Sequence, residues 1–253
     1  MEAMDVICER CGGTGWIVTE RADGLSGAEP CGCQTRRILE GARIPENYRD
    51  ASIDNFILPK NNPTASSALG GVMLQIRNYV REFPTPDKPG LLILGPHGVG
   101  KTHLAVAAFR ELIARGFKGV FFDYQNLLEK IRGSYNEASG VSDRNAYSSA
   151  LESEILLLDD LGAQRVSAWV EDTVTSIVTY RCNHRSALIA TTNLSDEAVG
   201  DTRERDLDLK SKYFLEERIG MRARSRLFEM CRVIRIPDVG DYRIRTMKTL
   251  VSG

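Results

Sequence analysis

A chain of 253 residues, 42% hydrophobic and 26% charged, has the length of one full α/β domain with a small appendage and the balance of an ordinary globular protein. A formal net charge of −1 excludes a globally basic coat, so any contact with nucleic acid must be local. No apolar run approaches the roughly 18 residues of a membrane span and no signal-like core opens the chain, so a cytoplasmic protein without membrane contact is expected.

Residues 1–40 hold four of the six cysteines, as Cys8-Glu9-Arg10-Cys11 and Cys31-Gly32-Cys33. In an intracellular chain such pairs point to metal or free thiols rather than a disulfide framework. Two close pairs of thiolates suit a tetrahedral structural zinc site at Cys8, Cys11, Cys31 and Cys33. A redox pair or unliganded thiols are the other chemistry open to them. The spacing Cys8-x-x-Cys11-x-Gly13-x-Gly15 resembles a knuckle of the zinc-binding module of DnaJ-type chaperones. The second pair departs from that pattern, with one intervening residue instead of two. Trp16, Ile17 and Val18 form its apolar cluster, so metal would decide whether this partner-binding module folds; structural zinc contributes on the order of 10 kcal/mol. Thr35–Glu40 reads as a short helix leading out.

Residues 41–90 form a linker and one helix. Pro45, Pro59 and Pro63 with Asn61-Asn62 mark the linker. Between Ala65 and Phe83 the spacing of Leu69, Val72, Met73, Ile76, Tyr79 and Val80 predicts an amphipathic helix, ended by the proline-rich run 84–90.

Residues 91–253 open with the apolar run Leu91-Leu92-Ile93-Leu94 and continue into Gly95-Pro96-His97-Gly98-Val99-Gly100-Lys101-Thr102, a complete G-x-x-x-x-G-K-[ST] phosphate loop. Its glycines let backbone N–H groups curl around phosphate oxygens, and the start of the following helix, which includes His103, adds partial positive charge. Lys101 is expected to reach the β/γ-phosphates and Thr102 to hold Mg²⁺. This chain is expected to bind a nucleoside triphosphate.

Further along, the helix after the loop is expected to end at Arg115-Gly116. Gly119–Asp123 reads as a second strand and Gln125–Arg132 as a helix, whereas the polar stretch from Gly133 to Ser149 is expected to be exposed and mobile. Ile155-Leu156-Leu157-Leu158-Asp159-Asp160 reads as a buried parallel strand whose carboxylates emerge at the ligand edge. Asp159 is placed to hold Mg²⁺, and Asp160 to orient or deprotonate the attacking water. Ala168–Arg181 reads as a helix. Ala187–Asn193 reads as another buried strand, and the Asn193 amide at its end can hold the lytic water and touch the γ-phosphate. The charged run from Arg203 to Asp208 reads as a solvated loop without a site.

Gly95–Ala105, Leu157-Leu158-Asp159-Asp160-Leu161-Gly162 and Ala190-Thr191-Thr192-Asn193-Leu194 together resemble AAA+ ATPases. Arg224–Cys231 and Ala42–Arg49 narrow the resemblance to the DnaC/IstB branch of helicase loaders and transposition helper ATPases. Over residues 40–245 it implies a P-loop AAA+ domain: a five-stranded parallel sheet, order 5-1-4-3-2, flanked by helices, with ATP and Mg²⁺ as cofactors. It matches Gly100, Lys101 and Thr102 to the nucleotide loop, Asp159 to the magnesium carboxylate and Asn193 to the first sensor. It matches Arg226 to the arginine finger that reaches a neighbouring subunit's ATP, with Arg222 in reserve, and so implies self-association. Aspartate at 160, where many AAA+ proteins carry glutamate, reaches less far, so slow turnover is expected. The chain after Pro237 is too short for the helical lid of larger relatives, so a second sensor arginine is expected to be missing and closure to rely on neighbours.

The resemblance implies an ATP-switched loader acting in DNA replication, its zinc module holding a replicative helicase and its ATPase domain engaging single-stranded DNA. A transposition helper that recruits a transposase on duplex DNA and a nucleotide-gated zinc adaptor with little hydrolysis are the alternatives; a small-molecule P-loop kinase is disfavoured by Asn193 and the short C-terminal segment. Between Arg218 and Lys248 nine basic residues stand against three acids, a local +6 suited to phosphate contacts. The stretch Lys130–Tyr135 sits where related loaders line their pore.

Overall fold

A computed structural model of the chain describes residues 7–20, 26–134, 141–196 and 214–244. The charged run 203–208, Tyr135, Arg245 and Lys248 lie outside the described residues. No described helix is long and apolar enough to cross a membrane.

The N-terminal module is an antiparallel hairpin, β1 (Trp16–Glu20) and β2 (Ser26–Pro30), followed by α1 (Gly32–Gly41). Trp16 and Val18 do not form the expected apolar cluster: they are 54% and 73% exposed. They are two residues apart and share one face of the hairpin, and a two-stranded ribbon has no second layer to cover that face.

Residues 42–56, expected as linker, are packed into the main core. Ala42, Ile53 and Phe56 are buried there, and the Ala42 carbonyl accepts the Phe121 N–H at 2.7 Å on the edge of the sheet. Helix α2 (Pro63–Glu82) starts where Asn62 accepts the Ala65 N–H and Pro63 presets the first turn. Its buried face is Leu69, Val72, Ile76, Tyr79 and Val80, all from the expected stripe.

The rest alternates strand and helix: β3 (Gly90–Leu94), α3 (Lys101–Ala114), β4 (Gly119–Asp123), α4 (Tyr124–Gly133), α5 (Val141–Glu152), β5 (Ile155–Asp159), α6 (Ala168–Asn183), β6 (Ala187–Thr192), α7 (Leu215–Ile219), α8 (Met221–Met230) and β7 (Cys231–Arg235). The five strands β3–β7 form one parallel sheet in the order β4-β5-β6-β3-β7. Counted from β3 this is 5-1-4-3-2, the order the resemblance implied. Period-two alternation divides each strand between two cores. Leu91, Ile93, Leu157 and Ile189 face α2 and α3, while Leu92, Leu94, Leu158 and Ala190 face the layer of α4 to α8.

The stretch expected to be polar and mobile contains α5, with Ala146 and Ala150 fully buried. Its inward stripe is made of small residues, which carry little hydrophobic signal but permit close packing on α4. The far end of α5 is tied down by Arg181 of α6, a fully buried cation that donates to the carbonyls of Ala150, Leu151, Ser153, Glu154 and Ala187. Removing a donor leaves buried carbonyls without partners, at about 1–3 kcal/mol each. Arg181→Met is therefore expected to lower unfolding stability by about 3 kcal/mol or more; an unchanged urea midpoint would contradict this.

Candidate active site and metal centre

Strand β3 delivers the phosphate loop to the sheet's C-terminal edge, where β5 and β6 also end, so Lys101, Asp159, Asp160 and Asn193 converge there. Gly98 and Gly100 take φ of 76° and 100°. At Gly100 a Cβ would lie 2.5 Å from the Phe56 ring, so no other residue fits without moving the linker. The Lys101 Nζ donates to the Pro96 carbonyl at 2.7 Å and to Asn193 Oδ1. The Asn193 amide in turn donates to Asp160 Oδ1 at 2.7 Å. Asp160 is one of few non-glycine residues at positive φ, 57°, a conformation that aspartate tolerates and that aims its carboxylate at Asn193 rather than along the strand.

Asp159 is buried and accepts hydroxyl hydrogen bonds from Thr102 at 2.9 Å and Thr191 at 2.6 Å. Burial raises its pKa, against the lowering effect of those hydroxyls. A buried carboxylate beside a threonine oxygen is a hard-oxygen donor set that suits Mg²⁺. Lys101 is pushed down to about 8, chiefly by burial, which the nearby Asp160 and Asp159 carboxylates oppose. Anion binding needs the ammonium form, and with the lowered pKa that form is lost as pH rises through about 8. ATP affinity, followed by fluorescent-analogue titration, is expected to fall above that pH; a flat profile to pH 9.5 would contradict it.

The cleft above the loop has a volume of about 310 Å³ and is lined by every charged or amide residue of this set except the deeper Asp159. It is also lined by Asn47, Tyr48, Tyr242 and Arg243, none of which had been assigned a role from motif spacing. After β7 the chain folds back over the phosphate loop: the Tyr242 N–H donates to the Gly98 carbonyl at 2.6 Å, and its ring stacks on Phe56 at 4.7 Å. Arg243 acts electrostatically on Lys101. The segment expected to be too short for a lid thus brings an arginine to the cleft by packing directly on the loop. The sequence signal was an aromatic-basic pair just after the last strand.

Arg226 is not brought to this site. Its guanidinium is 2.6 Å from Glu229, beside Cys182. Helix α8 precedes a strand parallel to β3, so its C-terminal half lies toward the sheet edge opposite the phosphate loop. Arg222, one turn earlier, is exposed nearer the ligand edge. Other basic side chains of this region are also engaged: Arg224 and Arg235 with Asp196, and Arg232 with Glu82. Among the described residues, four of the arginines counted in the sequence are thus engaged by acids.

In the N-terminal module Cys8, Cys11, Cys31 and Cys33 are brought together, with all four sulfurs within 4.8 Å of one another and none in a disulfide. Cys31 is extended and Cys33 lies in the first turn of α1, so a change from extended to helical backbone accommodates the single intervening residue. The Cys8–Cys31 and Cys11–Cys33 separations are 3.8 and 3.5 Å. A tetrahedral ion with Zn–S of about 2.3 Å has sulfur–sulfur edges of about 3.8 Å, so the donor set fits zinc. Burial raises the Cys11 thiol, but hydrogen bonding from the Gly15 backbone, Cys33 and the Gly13 backbone brings it down to about 6; hydrogen bonding with Cys11 and Cys31 pushes Cys33 up to about 12.

Residues 82–210 match the model of the family described as IstB-like ATP binding protein. Among curated proteins, the replicative helicase loader DnaC of Buchnera aphidicola subsp. Acyrthosiphon pisum is 23% identical over 65% of this chain and 64% of its own length. The ATP-binding protein of insertion sequence IS5376 from Geobacillus stearothermophilus is 29% identical over 46% of each chain. The chain thus spans less than two thirds of the length of these relatives. Among solved structures, a DnaC helicase loader superposes with a TM-score of 0.60 at 31% identity, covering 76% of this chain and 99% of that one. DnaI, at 21% identity and a TM-score of 0.55 over 76% and 94%, shares the fold.

Proposed function

Given that the chain belongs to the IstB-like ATP-binding family, within the DnaC/IstB-like AAA+ ATPases, we propose that it is a slow, assembly-dependent ATPase that loads a replicative helicase onto single-stranded DNA. The family implies ATP and Mg²⁺ as ligands. The observation that carries hydrolysis is the continuous link Lys101–Asn193–Asp160, which joins the phosphate-binding cation to the carboxylate that would orient water. Asp159 and Thr102 would hold Mg²⁺, and Arg243 would contact phosphate from the same chain. Among the described residues no second arginine lines the cleft, so an arginine from a neighbouring subunit completes the site. We assign that role to Arg222 rather than Arg226, because Glu229 holds Arg226 away from the ligand edge.

The zinc module would hold the partner. The single-stranded DNA surface is assigned to the patch where the Arg132 guanidinium lies 4.5 Å from the centroid of the Trp169 ring, with exposed Arg165 four residues before. A ring with a planar cation over it suits base stacking and phosphate contact, and stacking contributes about 1–3 kcal/mol per base. The insertion-sequence relative supports a second reading, a transposition helper. The test is binding of single-stranded and duplex DNA by full-length protein with ATP, combined with capture of purified helicase or transposase. Preference for single strands, weakened about tenfold or more by Trp169→Ala, together with helicase capture supports the loader. Preference for duplex with transposase capture replaces it by the helper.

A further inference from the structure

Asp196 is the second buried carboxylate at the ligand edge, and nothing in the nucleotide site uses it. It follows Asn193 by three residues, and its side chain is 1% exposed. Its Oδ1 accepts from Arg224 Nε at 2.7 Å and lies 2.6 Å from Arg224 Nη2. Its Oδ2 has no hydrogen-bond partner among the described residues and lies 3.7 Å from Arg235 at the end of β7. Arg224 stands in α8, two residues after Arg222, and its guanidinium also covers the Phe228 ring at 5.0 Å. A backbone bridge between Ser195 and Phe214 ties the same segment to the start of α7.

We propose that Asp196 and Arg224 are positioning residues: they fix α8 to the end of the sensor strand, so that Arg222 is presented to the neighbouring subunit in a geometry set by Asn193. The inference rests on the shared site proposed above. Asn193 contacts Lys101 and Asp160 within its own cleft, while Arg222 serves the next one. A link from Asn193 to α8 therefore makes occupancy of one site felt in the hydrolysis of another. The Asp196 carboxylate is buried, and Arg224, 20% exposed and also 3.9 Å from Glu216 of α7, meets it through two nitrogens, a geometry that suits a link holding one orientation.

The expected defect is therefore in donation. Asp196→Asn should bind ATP as the parent does, with KM unchanged, while kcat falls about tenfold to a hundredfold, as for a reacting group misplaced by about 1 Å. Arg224→Lys, which keeps the charge but not the two-donor geometry, should lose less. The deciding measurement is ATPase activity in mixed assemblies with Lys101→Ala, which has a disabled site of its own but an intact α8. Mixing Lys101→Ala with Arg222→Ala first establishes whether sites are shared. If that pair recovers activity and the Asp196→Asn pair recovers it too, the defect lies in donation. If the Arg222→Ala pair recovers and the Asp196→Asn pair does not, the positioning link is overturned while the shared site stands. If neither recovers, the shared site falls and the link with it. Arg224→Lys carries the same comparison should Asp196→Asn fail to fold.

Discussion

Arg222→Ala is expected to lower ATP turnover by about 10³-fold or more while leaving ATP affinity within twofold, as removal of an arginine supplied in trans does. The size of the effect follows from what the cleft lacks. In the proposed site Lys101 and Arg243 would meet the phosphates from within the chain, while the charge that spreads over the outward-facing oxygens in the transition state would be met by Arg222 of a neighbour. The split between turnover and affinity distinguishes this from Lys101→Ala, which removes the loop's own cation and should abolish binding itself. Steady-state rates measured across a range of protein concentrations provide the check. Wild type should accelerate per subunit as it assembles, and Arg222→Ala should not. A rate that is independent of concentration, or a large loss in Arg226→Ala with none in Arg222→Ala, would reverse the assignment.

Removal of zinc is expected to unfold the hairpin and α1 while leaving the parallel sheet intact. Trp16 and Val18 face solvent, α1 contains no fully buried residue, and the hairpin is a single layer. Apolar burial therefore contributes little to the hairpin, and α1 adds the half-buried Ile38 and Leu39 against the main core, whereas metal coordination contributes on the order of 10 kcal/mol in comparable modules. Cys11→Ser should have the same consequence as a chelator, because it removes the most buried ligand of its pair. Proton exchange would report loss of protection over residues 16–41, nucleotide binding should persist, and metal analysis should find close to one zinc per chain before treatment. Full protection after chelation, or less than half an equivalent of zinc in the purified protein, would remove the metal from the account. Retention of nucleotide binding without partner capture would place the two functions on separable parts of the chain.

Much of the site was legible because each of its parts has a local cause. The phosphate loop needs glycines at positive φ followed by Lys-Thr at a helix start. Asp159 and Asn193 declare themselves as polar residues ending uninterrupted apolar runs, and in a parallel sheet such runs must end at one edge. The cysteine spacing foretold the cluster for the same reason. Helix α5 was not legible, since its buried stripe is alanine and its anchor, Arg181, comes from another helix. The same is true of Asn47, Tyr48, Tyr242 and Arg243: they reach the cleft from segments far apart in the chain, and no spacing rule connects them.

Residue pattern alone therefore placed a phosphate loop at the edge of a parallel sheet and gathered four thiols suited to one metal. Those are properties of contiguous segments, whose geometry is set by backbone conformation and burial within a few residues. Where each arginine of α8 stands was decided only by tertiary structure. Arg222, Arg224 and Arg226 are equivalent in a sequence and stand two residues apart. Packing against β7 and α6 gives one to solvent near the ligand edge, one to Asp196 and one to Glu229. Direction around a helix and position along it are physical facts that appear only once the helix has something to lie against.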